Sequence, residues 1–238
     1  MKFRVYNGFG IKPTKSYAAA GWDFYVPDVT DESKQGIAIE ALKKSYKKTD
    51  KDIATISARF EEIREKYPAF GLGKLDWAKQ WVNVIHLFLA VDGSIMRASQ
   101  NKVMTFAEYY LTITDDGIPG IRLRCNDHVF FNSGIKVALD HGVAGIFLNK
   151  SGRGLKGFDT RAQVVDEDYT GYVHLSQAFT KDNISDGAIF VGDKITQMLL
   201  IPLAVKDECE ELDGDTYDEV MKDAARGADG FGSTDVKR

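Results

Sequence analysis

The densest run of reactive side chains is Val164-Val-Asp166-Glu-Asp-Tyr169-Thr-Gly171, which sets a carboxylate three residues ahead of a phenol at a tight turn. A carboxylate in such a place can take a proton from an oriented water and act as general base, so Asp166 is the natural candidate. Two segments offer groups that hold phosphate oxygens. Gly145-Ile-Phe-Leu-Asn-Lys150-Ser151-Gly152 supplies an ammonium, a hydroxyl and a glycine amide, and Gly192-Asp-Lys-Ile-Thr-Gln197-Met adds the neutral donor of Gln197. Ala19-Ala-Gly-Trp-Asp23-Phe-Tyr contributes another carboxylate. At the far end, Arg226-Gly-Ala-Asp-Gly-Phe231-Gly232-Ser233-Thr234 puts a guanidinium, a ring and two hydroxyls on backbone that glycine lets approach a ligand closely.

Two apparent signatures fail on context. Gly152-Arg-Gly-Leu-Lys-Gly157 satisfies G-x-G-x-x-G, but a dinucleotide fold needs that run to open a helix inside a βαβ unit, and strand-like text follows it. Lys150-Ser151 imitates the end of a P-loop, yet Asn149 stands where the glycine belongs. No H-E-x-x-H, C-x-x-C or close His pair supports a zinc site built by the protein.

The elements that must position these groups fall into three regions. Residues 1–27 read as short alternating strands. From about Asp28 the period becomes helical: Ile53, Ile56, Phe60, Ile63 and Tyr67 make one stripe, Pro68 closes it, and Trp77, Trp81, Val84 and Phe88 make a second. A shorter helix is expected from about Lys102 to Tyr110. His86, on the second stripe, reads as a satisfied interior histidine. From about Ile118 short β runs separated by turns predict an all-β barrel or sandwich. The acidic stretch from Lys206 to Asp223 reads as a solvated connector.

Composition bounds the rest. The 238 residues carry 31 Lys+Arg against 35 Asp+Glu, a formal net of −4, and 44% are hydrophobic. Mild acidity gives no general attraction to nucleic acid. No apolar stretch approaches the roughly 20 residues that cross a bilayer, so no membrane role is expected. The N-terminus lacks the apolar core of a signal peptide and only Cys125 and Cys209 could pair, which points to a cytoplasmic setting.

Taken singly, each motif is an ordinary turn or hairpin. Together and in this order they resemble the five motifs of the trimeric dUTPase family, over residues 1–28 and about 127–238, with 29–126 as a mostly helical insertion. The resemblance implies a small dUTPase-like, jelly-roll-like β-barrel with a mobile C-terminal tail. It implies a homotrimer that hydrolyses dUTP to dUMP and pyrophosphate, a water on Asp166 attacking the α-phosphorus. It implies Mg2+, reached from Asp23 through water, and a deoxyribose lying on Tyr169. By the same resemblance Lys150, Ser151, Gly152 and Gln197 bind phosphate, Arg226 grips the γ-phosphate, Phe231 stacks on the base, and Gly232, Ser233 and Thr234 complete the closing tail. The chain departs from the family at Lys150, commonly Arg; at Gln163, commonly Gly; and in the hairpin Thr160-Arg161-Ala162, which in the family reads the uracil edge.

Two alternatives stand beside this expectation. A dCTP deaminase of the same superfamily needs a glutamate soon after the third motif, and Tyr172-Val-His-Leu-Ser-Gln177 has none. A nucleotide-sensitive scaffold would bind a protein partner through residues 29–126, although the stripes there read most simply as the core of a helical subdomain.

Overall fold

The computed structural model describes residues 3–92, 101–181, 187–203, 213, 215–216, 219 and 222. β1 (Arg4–Asn7) and β2 (Trp22–Tyr25) lead into a helical block: α1 (Glu32–Tyr46), α2 (Asp50–Lys66), 3-10 turns at Pro68–Phe70 and Leu72–Lys74, α3 (Trp77–Asp92) and α4 (Lys102–Tyr109). Strands follow: β3 (Leu111–Ile113), β4 (Pro119–Leu123), β5 (His128–Asn132), β6 (Ile135–Ala138) and β7 (Val143–Asn149). The short α5 (Ser151–Leu155) precedes β8 (Phe158–Arg161), β9 (Val164–Val165), β10 (His174–Phe179), β11 (Gly187–Phe190) and β12 (Lys194–Pro202).

Among the described residues every strand pairing is antiparallel, in sheets ordered β1-β6, β5-β10-β8, β11-β4-β3 and β2-β12-β7-β9. The G-x-G-x-x-G run does open a helix, but one of five residues between strands of different sheets, so no parallel βαβ unit forms. The last part of residues 29–126 is sheet, and β4 pairs with β11 from near the end of the fold.

The helices follow the expected stripes except at Tyr67, which caps the end of α2 and is exposed. Thr49 and Asp52 form a capping box at the start of α2, and Ile53, Ile56, Phe60 and Ile63 are its buried face. α3 is buried nearly all round, from Val82 to Val91, because it lies between α1 and α2 on one side and β4 and β5 on the other. Phe60, Phe88 and Phe106 meet edge to face with centroids 5.5 to 6.0 Å apart. α1 carries a weaker pattern: Gly36 interrupts it and only Ala38 and Leu42 are fully buried, so its cap at Asp31, which accepts from the Ser33 amide at 3.0 Å, marks its start better than its periodicity does. Among the described residues no helix is long and apolar enough to cross a membrane.

The chain divides into two units, Met1–Leu203 and Ala204–Arg238. All named elements belong to the first. In the second, the Thr216 amide donates to Asp213 Oδ1 at 2.8 Å. Arg226, Phe231, Gly232, Ser233 and Thr234 lie outside the described residues.

Candidate functional site

β12 gathers three of the motifs. It is hydrogen-bonded to β2 on one side and β7 on the other, and Gln197 stands opposite Asp23 and opposite Leu148. The chain leaving β7 therefore carries Lys150, Ser151 and Gly152 beside Asp23. Asp23, largely buried, pairs with the Lys150 ammonium through Oδ1 and with Lys194 Nζ at 3.4 Å through Oδ2. Gln197 Nε2 donates to the Asn149 carbonyl at 3.0 Å and so braces the turn into α5.

Ser151 and Gly152 begin α5 and are exposed. The first amides of a helical turn have no intrahelical acceptor, so both N–H groups are available to an anion. A Cβ built at Gly152 would meet nothing within 4 Å, so packing within the chain does not require the glycine.

Lys194 belongs to this group, and simple alternation hides it. It stands three positions before Gln197, an odd offset that would put the two on opposite faces of a regular strand. A register shift between Lys194 and Thr196 restores the parity: Lys194 faces Tyr25 and Gln197 faces Asp23, while Thr196 points inward opposite Phe24. The Tyr25 phenol first, and then Asp23, hold the Lys194 ammonium above its usual range.

Among the described residues no three His, Cys, Asp or Glu side chains meet to cage a metal ion. The donor set here is a single carboxylate, Asp23, among lysines. That set suits Mg2+ only as an ion that keeps its waters and takes most of its oxygens from a bound ligand.

Asp166 and Tyr169 form a second group. Val165 pairs with Gly145 of β7, and the Tyr169 amide closes the turn onto the Asp166 carbonyl at 3.2 Å. Both residues line a cleft of about 160 Å3 whose other walls are Ala162, Val164 and Val165 from the β8–β9 hairpin and Phe130, Val173 and His174 from β5 and the approach to β10. Tyr169 donates its hydroxyl to the Tyr172 carbonyl at 2.8 Å, which fixes the ring, and partial burial pushes its phenol up. The Asp166 segment is pinned by its neighbour: Glu167 bonds His141 Nδ1 at 2.8 Å and accepts from the Gly142 amide. Among the described residues no hydrogen bond or ion pair joins this group to Asp23, Lys150 and Gln197.

The hairpin that departs from the family pattern folds at some strain. Ala162 adopts φ +52°, where glycine is at ease, and Gln163 ties the turn by donating its Nε2 to the Thr160 carbonyl at 2.8 Å. Thr160 is buried, receives Gln177 Nε2 at 2.7 Å and donates its own amide to Asn149 Oδ1 at 2.6 Å, which couples the hairpin to the Lys150 turn. Asn149, Glu167, His174 and Lys194 escape a reading by residue type alone because each acts through a partner distant in sequence.

A family model described as dUTPase matches residues 107–235. Over 106 residues the chain is 32% identical to the deoxyuridine 5'-triphosphate nucleotidohydrolase of Paramecium bursaria Chlorella virus 1, covering 44% of this chain and 69% of that protein. Over 104 residues it is 35% identical to the mitochondrial deoxyuridine 5'-triphosphate nucleotidohydrolase of Dictyostelium discoideum, covering 43% of this chain and 53% of that one. The protein of the same name from Saccharomyces cerevisiae is 37% identical over 94 residues, covering 39% of this chain and 58% of that one. The chain thus spans between about half and seven tenths of the length of these relatives. Among solved structures, native EIAV dUTPase superposes over 45% of this chain and 93% of its own at 15% identity, with a TM-score of 0.36.

Proposed function

This chain belongs to the dUTPase family, and from that premise we propose that it hydrolyses dUTP to dUMP and pyrophosphate. The observation that carries the proposal is the pairing of β12 with both β2 and β7, which brings Asp23, Lys150 and Gln197, each from a different family motif, to one place.

In this reading the deoxyribose lies on the Tyr169 ring in the cleft, too close for a 2′-hydroxyl. Asp166 orients a water and accepts its proton as the water oxygen attacks the α-phosphorus. The bond from the α-phosphorus to the bridging oxygen breaks, and pyrophosphate leaves. Lys150, the amides of Ser151 and Gly152, and Gln197 hold the phosphate oxygens and offset the charge that builds on them. Asp23 would hold Mg2+ through water, and that ion would neutralise triphosphate charge.

Arg226 for the γ-phosphate, Phe231 for the base, and Gly232, Ser233 and Thr234 for closure are part of the same proposal. So are a homotrimer, in which the Asp23, Ser151 and Gln197 motifs of one chain meet Asp166 and Tyr169 of a second and the tail of a third, and a cytoplasmic setting.

Pyrophosphate release with Mg2+, compared for dUTP, dCTP, dTTP and UTP beside an Asp166→Asn control, tests the proposal. Turnover of dUTP that is lost in the control is the expected result. An inactive parent, or a control as active as the parent, refutes it.

A further inference from the structure

The back wall of the nucleoside cleft is held in place by the helical block. His174, which lines the cleft, stacks flat on Phe130, another wall residue, with centroids 4.5 Å apart and planes 4° from parallel. Neither ring is anchored by the sheet alone. Ser45 Oγ, in the last turn of α1, lies 3.1 Å from His174 Nε2 and accepts from Asn132 Nδ2 at 2.8 Å. The Ser45 hydroxyl thus bonds the His174 ring and the Asn132 side-chain amide at once. The neighbouring Tyr46 hydroxyl donates to the Phe130 carbonyl.

The contact reaches further than one pair. Asn132 and His174 face each other across β5 and β10, so Ser45 bonds both strands at the same rung. From α3, His86 Nε2 accepts the Asn132 amide at 3.2 Å, a second grip on that rung. Two residues before His174, the Tyr172 carbonyl receives the Tyr169 hydroxyl at 2.8 Å. The helical block is thus linked through Ser45, His174 and the Tyr172 backbone to the ring proposed to carry the deoxyribose.

We infer that Ser45 and Tyr46 are positioning residues for nucleoside binding: through His174 and Phe130 they set the width of the cleft, and so tie the helical block to substrate affinity. The inference rests on the dUTPase reading of the cleft. Because these residues touch neither the phosphates nor Asp166, their loss acts on binding rather than on the chemical step.

Steady-state kinetics of dUTP hydrolysis by the full chain, for the parent, Ser45→Ala, Ser45→Thr and Tyr46→Phe, with a melting curve for each, test this. Ser45→Ala is expected to raise KM about threefold to tenfold with kcat within about twofold, as the loss of one hydrogen bond in a binding wall predicts. Tyr46→Phe shifts KM the same way by less, and Ser45→Thr, which keeps the hydroxyl, returns KM to the parent value. Unchanged KM in both Ser45→Ala and Tyr46→Phe overturns the inference and leaves the dUTPase reading standing. So does a parallel change in kcat and melting temperature that threonine fails to rescue, which marks a role in folding only. A parent without dUTP turnover overturns the reading and this inference together.

Discussion

Around β12 the side chains are placed by backbone register: Gln197, Asp23 and Leu148 share a rung, Lys150 follows directly after the end of β7, and one bulge brings Lys194 to the same face as Gln197. Around the cleft, placement depends on side chains reaching across elements: Glu167 to His141, Tyr169 to the Tyr172 carbonyl, Ser45 to His174. A ladder of backbone bonds survives any single side-chain change, whereas a wall held by individual hydrogen bonds moves when one is lost. Substitutions at β12 should therefore change charge without changing shape, and substitutions around the cleft should change shape and affinity.

The largest effects belong to groups assigned to the chemistry. Asp166→Asn is expected to lower kcat by about 10²- to 10⁴-fold, the usual worth of a general base, with an unchanged melting temperature. Asp23→Asn should cost about 10- to 100-fold in kcat/KM and shift the Mg2+ titration to higher concentration, as losing a water-mediated metal partner does. A variant at Asp23 that keeps full activity at low Mg2+ would remove that residue from the ion's surroundings.

Next comes the join between the helical block and the sheet. Burial first, and His174 second, push the His86 imidazole down to about 3 from its ordinary 6.5. Below pH 6.5 the unfolded chain takes up a proton that the folded chain refuses. Stability is therefore full above that value and declines as pH falls toward 3, by roughly 1.4 kcal/mol per pH unit from this one group. His86→Leu leaves the Asn132 amide unsatisfied and should cost about 1–3 kcal/mol at pH 7.5. It should also flatten the fall in melting temperature between pH 7 and 5, and equal slopes for parent and variant would assign the acid sensitivity elsewhere.

Much of this was legible in the residues before any fold was known. The stripe of α2 is the spacing of Ile53, Ile56, Phe60 and Ile63, and a histidine amid the apolar run of α3 is the buried, satisfied His86. Other features were not. α1 has too few large apolar residues to announce itself, and β8, Phe-Asp-Thr-Arg, looks polar because Thr160 is buried on hydrogen bonds rather than on apolar contact. Lys194 was hidden because a bulge changes strand parity, which residue types do not encode. Ser45 and His174 are 129 positions apart in the chain, and a hydroxyl near the end of a helix gives no sign of the sheet it will meet.

A smaller effect tests the pin beside Asp166. His141, and then the Gly142 amide, hold the Glu167 carboxyl below its usual value. Its stabilising contribution is thus present above pH 4.5 and is lost as pH falls through the lower folded value. Glu167→Gln should raise KM by about two- to fivefold at neutral pH by loosening the Asp166 turn. On acidification below pH 4.5 the parent should lose stability faster than the variant, and a parent and variant that lose it in parallel would show that the pin carries no charge-dependent stability.

The smallest expected effect isolates the hairpin from the rest of the cleft. Ala162 holds a left-handed backbone, which costs a residue with a Cβ about 1–2 kcal/mol, and Ala162→Gly removes that strain. The gain is offset by the larger freedom of glycine in the unfolded chain, about 0.4–1 kcal/mol, so the net change lies between zero and about 1.6 kcal/mol of added stability. Because Gln163 still bonds the Thr160 carbonyl, the turn keeps its shape and KM for dUTP should move less than about twofold. Gln163→Gly at the same hairpin should do the opposite, lowering the melting temperature by removing the cross-turn bond. If instead Ala162→Gly destabilises the protein by several degrees, the methyl group is packing against the cleft. The hairpin would then be held by side-chain contact like the walls around it, rather than by its own backbone and one glutamine.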